Sequence, residues 1–229
     1  MLQYPLIFIH LPKTAGTSLR RTIQKNYRSR ELFFVYNRNP KFHPMDELWG
    51  FDPEDFEKYK IIMGHFPFSR KLFPFEDRRF ITLVRDPVQR AVSYYRHVMG
   101  RDEWRGREIS LHEYMETSDD IQFQNHQVRL LSGMKRNPIT DRHLEKAIEN
   151  IEKYFLYAGT SERFTHAVDH LYTLLDWKKK KIFRENVSSE KLCLPPCSED
   201  DLDRLKELNQ YDIKLHEWVS NRLEQDEVG

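Results

Sequence analysis

The chain has 229 residues, of which 39% are apolar and 13% aromatic, enough for one sizeable core and consistent with a single domain over residues 1–229. Lys and Arg total 37 against 36 acids, so bulk charge gives no reason to expect a nucleic-acid or membrane-surface partner. Any anion site must therefore be built locally.

The first apolar run, PLIFIH, lies between Pro5 and Pro12 and reads as a buried strand. It is far shorter than the roughly 20 residues a membrane span needs, and no basic leader precedes it, so a soluble, cytoplasmic protein is expected. A helix should begin near Gly16 or Thr17, with Leu19, Ile23 and Tyr27 on one face. Residues 30–58 are rich in turn formers and read as an irregular surface excursion. KIIMGHF and RFITLV are the next strands, ending at His65 and Arg85. DPVQ then opens a helix, with Asp86 as cap, Pro87 in the first turn and Gln89 placed for a capping box.

Residues 100–141 read as helical and loop material, with Gly133 as a helix stop. An amphipathic helix opened by Thr140 or Asp141 leads to the strand FLYAGT. The helix that follows carries Phe164, Val168, Leu171 and Leu175 on one face. A last long helix is expected over residues 198–224, striped by Leu202, Leu205, Leu215, Trp218 and Val219. Strands alternating with helices imply an α/β fold with a parallel sheet. Cys193 and Cys197 in CLPPC make neither a disulfide framework nor a four-ligand zinc site. His166 and His170 have metal-ligand spacing, but HAVDH lacks the glutamate of zincins, and a surface pair is the plainer reading. The Lys178–Lys181 run reads as a solvated turn able to steer an anionic glycan.

HLPKTAGTSL joins the first strand to its helix. Such a junction leaves backbone N–H groups unpaired and aims the positive end of the helix dipole at the turn, which suits an anion. Lys13 adds a mobile charge, Gly16 permits close approach, and Thr14, Thr17 and Ser18 supply hydroxyls. The Walker A order is absent, because the lysine precedes the glycine.

This loop resembles the 5'-phosphosulfate loop of sulfotransferases that use 3'-phosphoadenosine 5'-phosphosulfate (PAPS), especially the Golgi-type carbohydrate branch. A second match supports it: ITLVRDPVQRAVSYY places Arg85 and Ser93 at the spacing that holds the 3' phosphate in that family. The resemblance implies a P-loop-like three-layer sandwich forming a single sulfotransferase domain, with PAPS as donor and no metal. It implies that Lys13 contacts the leaving phosphate and that Thr14, Ala15, Gly16, Thr17 and Ser18 wrap the 5' phosphate. RENVSSEKLCLP resembles the loop closing over the nucleotide, which makes Arg184, Asn186 and Ser188 further contacts. Asn125, Gln127 and Arg129 fit a recurring family pattern without an assigned role.

Sulfuryl transfer asks the protein to align the reactants and to stabilise charge on the leaving group. The acceptor hydroxyl must also lose a proton. His65 is the candidate base, since it ends a strand on the edge where the cofactor loops gather. GHFPFSRKLF resembles the catalytic histidine segment of uronyl 2-O-sulfotransferases, although Met63 replaces their second histidine. Glu47, Glu54 and Glu57 are alternatives, because other branches use glutamate. The expected acceptor is a carbohydrate or another hydroxyl compound. A nucleotide-dependent kinase and a noncatalytic nucleotide- or glycan-binding module are the rival functions.

Overall fold

Five strands, β1 (Leu6–Ile9), β2 (Leu32–Val35), β3 (Ile61–Gly64), β4 (Phe80–Val84) and β5 (Phe155–Thr160), form one sheet in the order β2-β3-β1-β4-β5. Every neighbouring pair runs parallel. The computed structural model of the chain describes residues 5–36, 42–77, 79–101, 103, 107–134, 138–178 and 195–228. Among these the α-helices are α1 (Gly16–Asn26), α2 (Met45–Leu48), α3 (Pro87–Met99), α4 (Leu111–Thr117), α5 (His126–Ser132), α6 (Asp141–Tyr154), α7 (Phe164–Leu174), α8 (Glu199–Leu208) and α9 (Gln210–Val228).

β1, β3 and β4 are buried along their whole length. A strand buried on both faces needs cover on both, so the sheet is the middle layer of an α/β three-layer sandwich. That burial explains why these strands read as continuous apolar runs rather than alternating ones. Thr82 is the exception within β4, and its hydroxyl donates to the Ile9 carbonyl at 2.9 Å. A second apolar cluster, including Tyr94, Tyr95, Leu111, Phe123 and Leu205, ties α3 to α4 and α8.

Most local signals act as read, but Gln89 does not complete a capping box, because the Asp86 N–H donates to Glu162 Oε1 at 3.0 Å instead. Asp86 accepts from Gln89 N at 2.8 Å with Pro87 in the first turn of α3. Thr140 and His143 form the box that starts α6, and Gly133 ends α5 with φ +80°. No helix among the described residues is long and apolar enough to cross a membrane.

Two expectations are corrected. Residues 30–58 are not wholly irregular, because LFFV forms the edge strand β2, paired with β3 from Leu32↔Ile61 to Val35↔Gly64. Its four residues were masked by the turn formers around them. The last helix is two helices, broken at Asn209, whose buried side chain donates to the Phe123 carbonyl at 2.8 Å and the Leu205 carbonyl at 2.9 Å. An asparagine that bonds backbone locally competes with the helix ladder, and here it ends one helix and starts the next.

β2 lies very close to β3 at Gly64, where an added Cβ would sit 2.0 Å from the Val35 carbonyl oxygen. Gly64→Ala is therefore expected to displace the edge strand and cost about 1–3 kcal/mol. A urea titration with amide exchange on β2 checks this, and an unchanged midpoint with protected β2 amides would contradict the packing described.

Candidate functional site

Because all five strands are parallel, their carboxyl ends open on one edge. His10 follows β1, Tyr36 follows β2, His65 follows β3 and Arg85 follows β4. The site is assembled from these four exits.

The β1 exit bends sharply into α1. Lys13 and Ala15 both adopt left-handed backbone, with φ +69° and +61°, a conformation that non-glycine residues adopt only where surrounding structure enforces it. Thr14 is fully buried and its hydroxyl donates to the Leu11 carbonyl at 2.9 Å. Its side chain therefore braces the loop, and only its backbone is offered to a ligand. Ala15 is the N-cap residue of α1, which has no side-chain cap and no acid in its first turn. The N-terminal N–H groups and dipole of α1 thus face the loop without a competing carboxylate from that turn. Thr17 is half-buried and Ser18 buried in this first turn. Gly16 has a reason the sequence did not suggest: an added Cβ would meet the His10 ring at 2.0 Å.

Arg85 reaches across from the β4 exit, and its Nη1 donates to the Lys13 carbonyl at 3.1 Å. The two motif cations therefore share one site. Burial lowers the Lys13 pKa below the usual lysine value, and the charges of Arg85 and Arg101 lower it further. A cluster of cations in this setting suits a multiply charged anion. Ser93 is half-buried in the second turn of α3.

His65 is fixed from two sides. Its backbone N–H donates to the Val35 carbonyl at 3.0 Å, and its ring Nδ1 lies 2.6 Å from the His10 carbonyl. A carbonyl only accepts, so Nδ1 carries the proton and Nε2 presents the lone pair. The His65 ring packs against His10 at 4.4 Å and edge-on to Tyr36 at 4.8 Å. Burial lowers its pKa below the ordinary histidine value; the bond to the His10 carbonyl opposes this, and Arg20 reinforces it. His10 Nδ1 is paired with the Tyr36 hydroxyl at 2.8 Å, and Arg20 sits over the Tyr36 ring at 5.4 Å.

A cleft of about 470 Å³ runs from Ala15 and Ser18 to the turn that starts α7, where Glu162, Phe164 and His166 line it. Burial works against ionisation of Glu162, but hydrogen bonds from His216 and from Asp86 N outweigh it and hold the carboxyl at about 2.

The structure thus gathers Lys13, Thr14, Ala15, Gly16, Thr17, Ser18, Arg85 and His65 around the carboxyl edge of the sheet. Arg184, Asn186, Ser188 and Cys193 lie outside the described residues. Glu47 is exposed on α2 and bonds to His43 at 3.0 Å, and Glu54 and Glu57 are exposed. His170 stacks on Tyr157 at 4.8 Å. Sequence reasoning missed His10, Tyr36, Arg20 and Arg101. His10 was detectable by the same rule that selected His65, since both immediately follow a strand. Arg20 and Arg101 carried no such signal.

The family model described as "Sulfotransferase family" matches residues 2–218. The chain is also similar to "Heparan-sulfate 6-O-sulfotransferase 3-B" of Danio rerio, 22% identical over 276 residues that take in 94% of this chain and 63% of that protein. It therefore spans less than two thirds of the length of that curated relative.

The buried histidines make stability pH-dependent. Burial is the largest cause holding His10, His65 and His126 below the ordinary value. The unfolded chain then binds protons first as pH falls, so these groups contribute stability that is complete above about pH 6.5 and lost below it. The urea midpoint is expected to drop between about pH 7.5 and 5.5, and His10→Phe to flatten that slope; an equal slope in the variant would contradict the burial of a neutral His10.

Proposed function

We propose, from the premise that this chain belongs to the sulfotransferase family, that it transfers a sulfuryl group from PAPS to a carbohydrate hydroxyl. The observation that carries this reading is the hydrogen bond from Arg85 to the Lys13 carbonyl. It brings the loop suited to a 5' phosphate and the cation suited to a 3' phosphate into one site.

The residues present fit such a donor. The loop is held in left-handed backbone at Lys13 and Ala15, an arrangement that turns successive N–H groups toward an anion. The adjoining cleft between α1 and α7 has room for a nucleoside portion. The donor supplies an activated sulfuryl group attached to a phosphate leaving group.

Lys13 and the N-terminus of α1 stabilise negative charge on that phosphate. Arg85 and Ser93 hold the 3' phosphate through charge-assisted bonds and thereby fix the donor's orientation. Backbone from Thr14 to Ser18 encloses the 5' side. His65 takes the acceptor's proton at Nε2, the nitrogen left available by the bond to the His10 carbonyl. Its lowered pKa keeps that nitrogen unprotonated at neutral pH. The carbohydrate acceptor draws support from the relative described above, which is named for 6-O-sulfotransfer to heparan sulfate.

Titration calorimetry should show tighter binding of adenosine 3',5'-bisphosphate than of ATP, and preference for ATP would favour a kinase instead. With labelled PAPS and a panel of glycans, phenols, steroids and peptides, His65→Ala should lower turnover about 100- to 10,000-fold while leaving bisphosphate affinity within about twofold. Arg85→Ala should show the reverse emphasis, weakening bisphosphate binding first. Because the active form of His65 is neutral and its pKa is depressed, the wild-type rate should be flat near neutrality and fall only below about pH 6.5. An acid limb that persists unaltered in His65→Ala would assign the base elsewhere.

A further inference from the structure

We propose that Gln127 is a positioning residue for the donor site, acting through Arg85, and that a reciprocal clasp between α5 and α9 holds it in place. The role given to Arg85 rests on the sulfotransferase reading above.

Arg85 is the first residue beyond β4, where its backbone leaves the ladder of the sheet. Unpaired backbone groups in a half-buried turn are costly, and something must replace the missing strand partner. Gln127 does so with both ends of one amide. Its Oε1 accepts from Arg85 N at 2.9 Å and its Nε2 donates to the Arg85 carbonyl at 2.8 Å. The next backbone N–H, that of Asp86, donates to Glu162 Oε1 at 3.0 Å. The backbone is therefore pinned on both sides of the Arg85 Cα, and the direction in which the guanidinium leaves the chain is set before any ligand arrives. Gln127 itself is fully buried, with no contact of its own to solvent.

The position of Gln127 is in turn fixed from α9. Asp212 caps the start of α5 from outside, accepting from Gln127 N at 2.9 Å and from Val128 N at 2.8 Å. Asn125, in left-handed backbone just before α5, returns the favour to α9: its Oδ1 accepts from Tyr211 N at 2.9 Å and Asp212 N at 3.1 Å. Asn209 closes the exchange by accepting from Asn125 N at 3.1 Å. Each helix thus satisfies the unpaired N–H groups at the start of the other. Asn209 and Asp212 are fully buried, so no water competes for these bonds. The result is a continuous hydrogen-bonded path from α9 through α5 to the backbone of the proposed 3'-phosphate arginine.

The test is a double-mutant cycle on the full chain, read by calorimetry with adenosine 3',5'-bisphosphate and controlled by urea midpoints. Gln127→Met should weaken binding about tenfold, the scale of one lost hydrogen bond. In an Arg85→Ala background the same substitution should change affinity by less than about twofold, since its effect passes through Arg85. Gln127→Leu, which also removes both bonds, should weaken binding as Gln127→Met does, and it decides the matter by the same criteria if Gln127→Met does not fold. Asp212→Asn should weaken binding by the same route, with no loss in the Arg85→Ala background. Unchanged affinity in the Gln127 variants, or the same fold-loss with and without Arg85, would overturn the positioning role. Absence of bisphosphate binding by the wild-type chain, or undiminished binding in Arg85→Ala, would instead overturn the donor reading and this inference with it.

Discussion

The parallel pairing of β1 with β3 on one side and β4 on the other is the constraint on which the site depends. Were any of these strands reversed, its chemical residue would lie at the far end of the sheet. With all running one way, the residues that follow them emerge within reach of one another. His65 can then donate to the His10 carbonyl and Arg85 to the Lys13 carbonyl, each bond joining the exits of two adjacent strands. Such bonds add little to global stability compared with the buried apolar sheet, but they set the distances on which chemistry depends.

Electrostatics at that edge is divided into two neighbourhoods. Around Lys13, cations crowd together and make a place where an anion relieves repulsion. Around His65, aromatic rings and burial favour the neutral imidazole. The transfer proposed above, with a charged donor at Lys13 and a proton passing to His65, needs both conditions close together, and a single uniform pocket would not provide them.

Much of this was readable from residues alone. The β1, β3 and β4 runs are continuous and apolar because they are buried on both faces, and Asp86-Pro87 and Gly133 announce their helix ends through local chemistry. Lys13, Arg85 and His65 were legible because each belongs to a strand exit, where sequence neighbours determine the geometry. What was hidden depends on partners far along the chain. LFFV becomes a strand only because β3 lies beside it. Asn209 breaks a helix because of Phe123, and the contact joins residues 86 positions apart. The Tyr36–His10 pair likewise bridges two strand exits that no local pattern connects. Gly16 was recognised but for a different cause, since its missing side chain makes room for an imidazole.

The left-handed backbone at Ala15 has a consequence for how this fold responds to selection. An alanine there sits roughly 1–2 kcal/mol above its relaxed state, and glycine would remove that strain. A screen for heat resistance alone would therefore tend to reward glycine at this position, yet the replacement also frees the turn to sample other shapes. Durability and a fixed turn pull in opposite directions at this residue, so a hardened variant is one in which the turn has gained freedom.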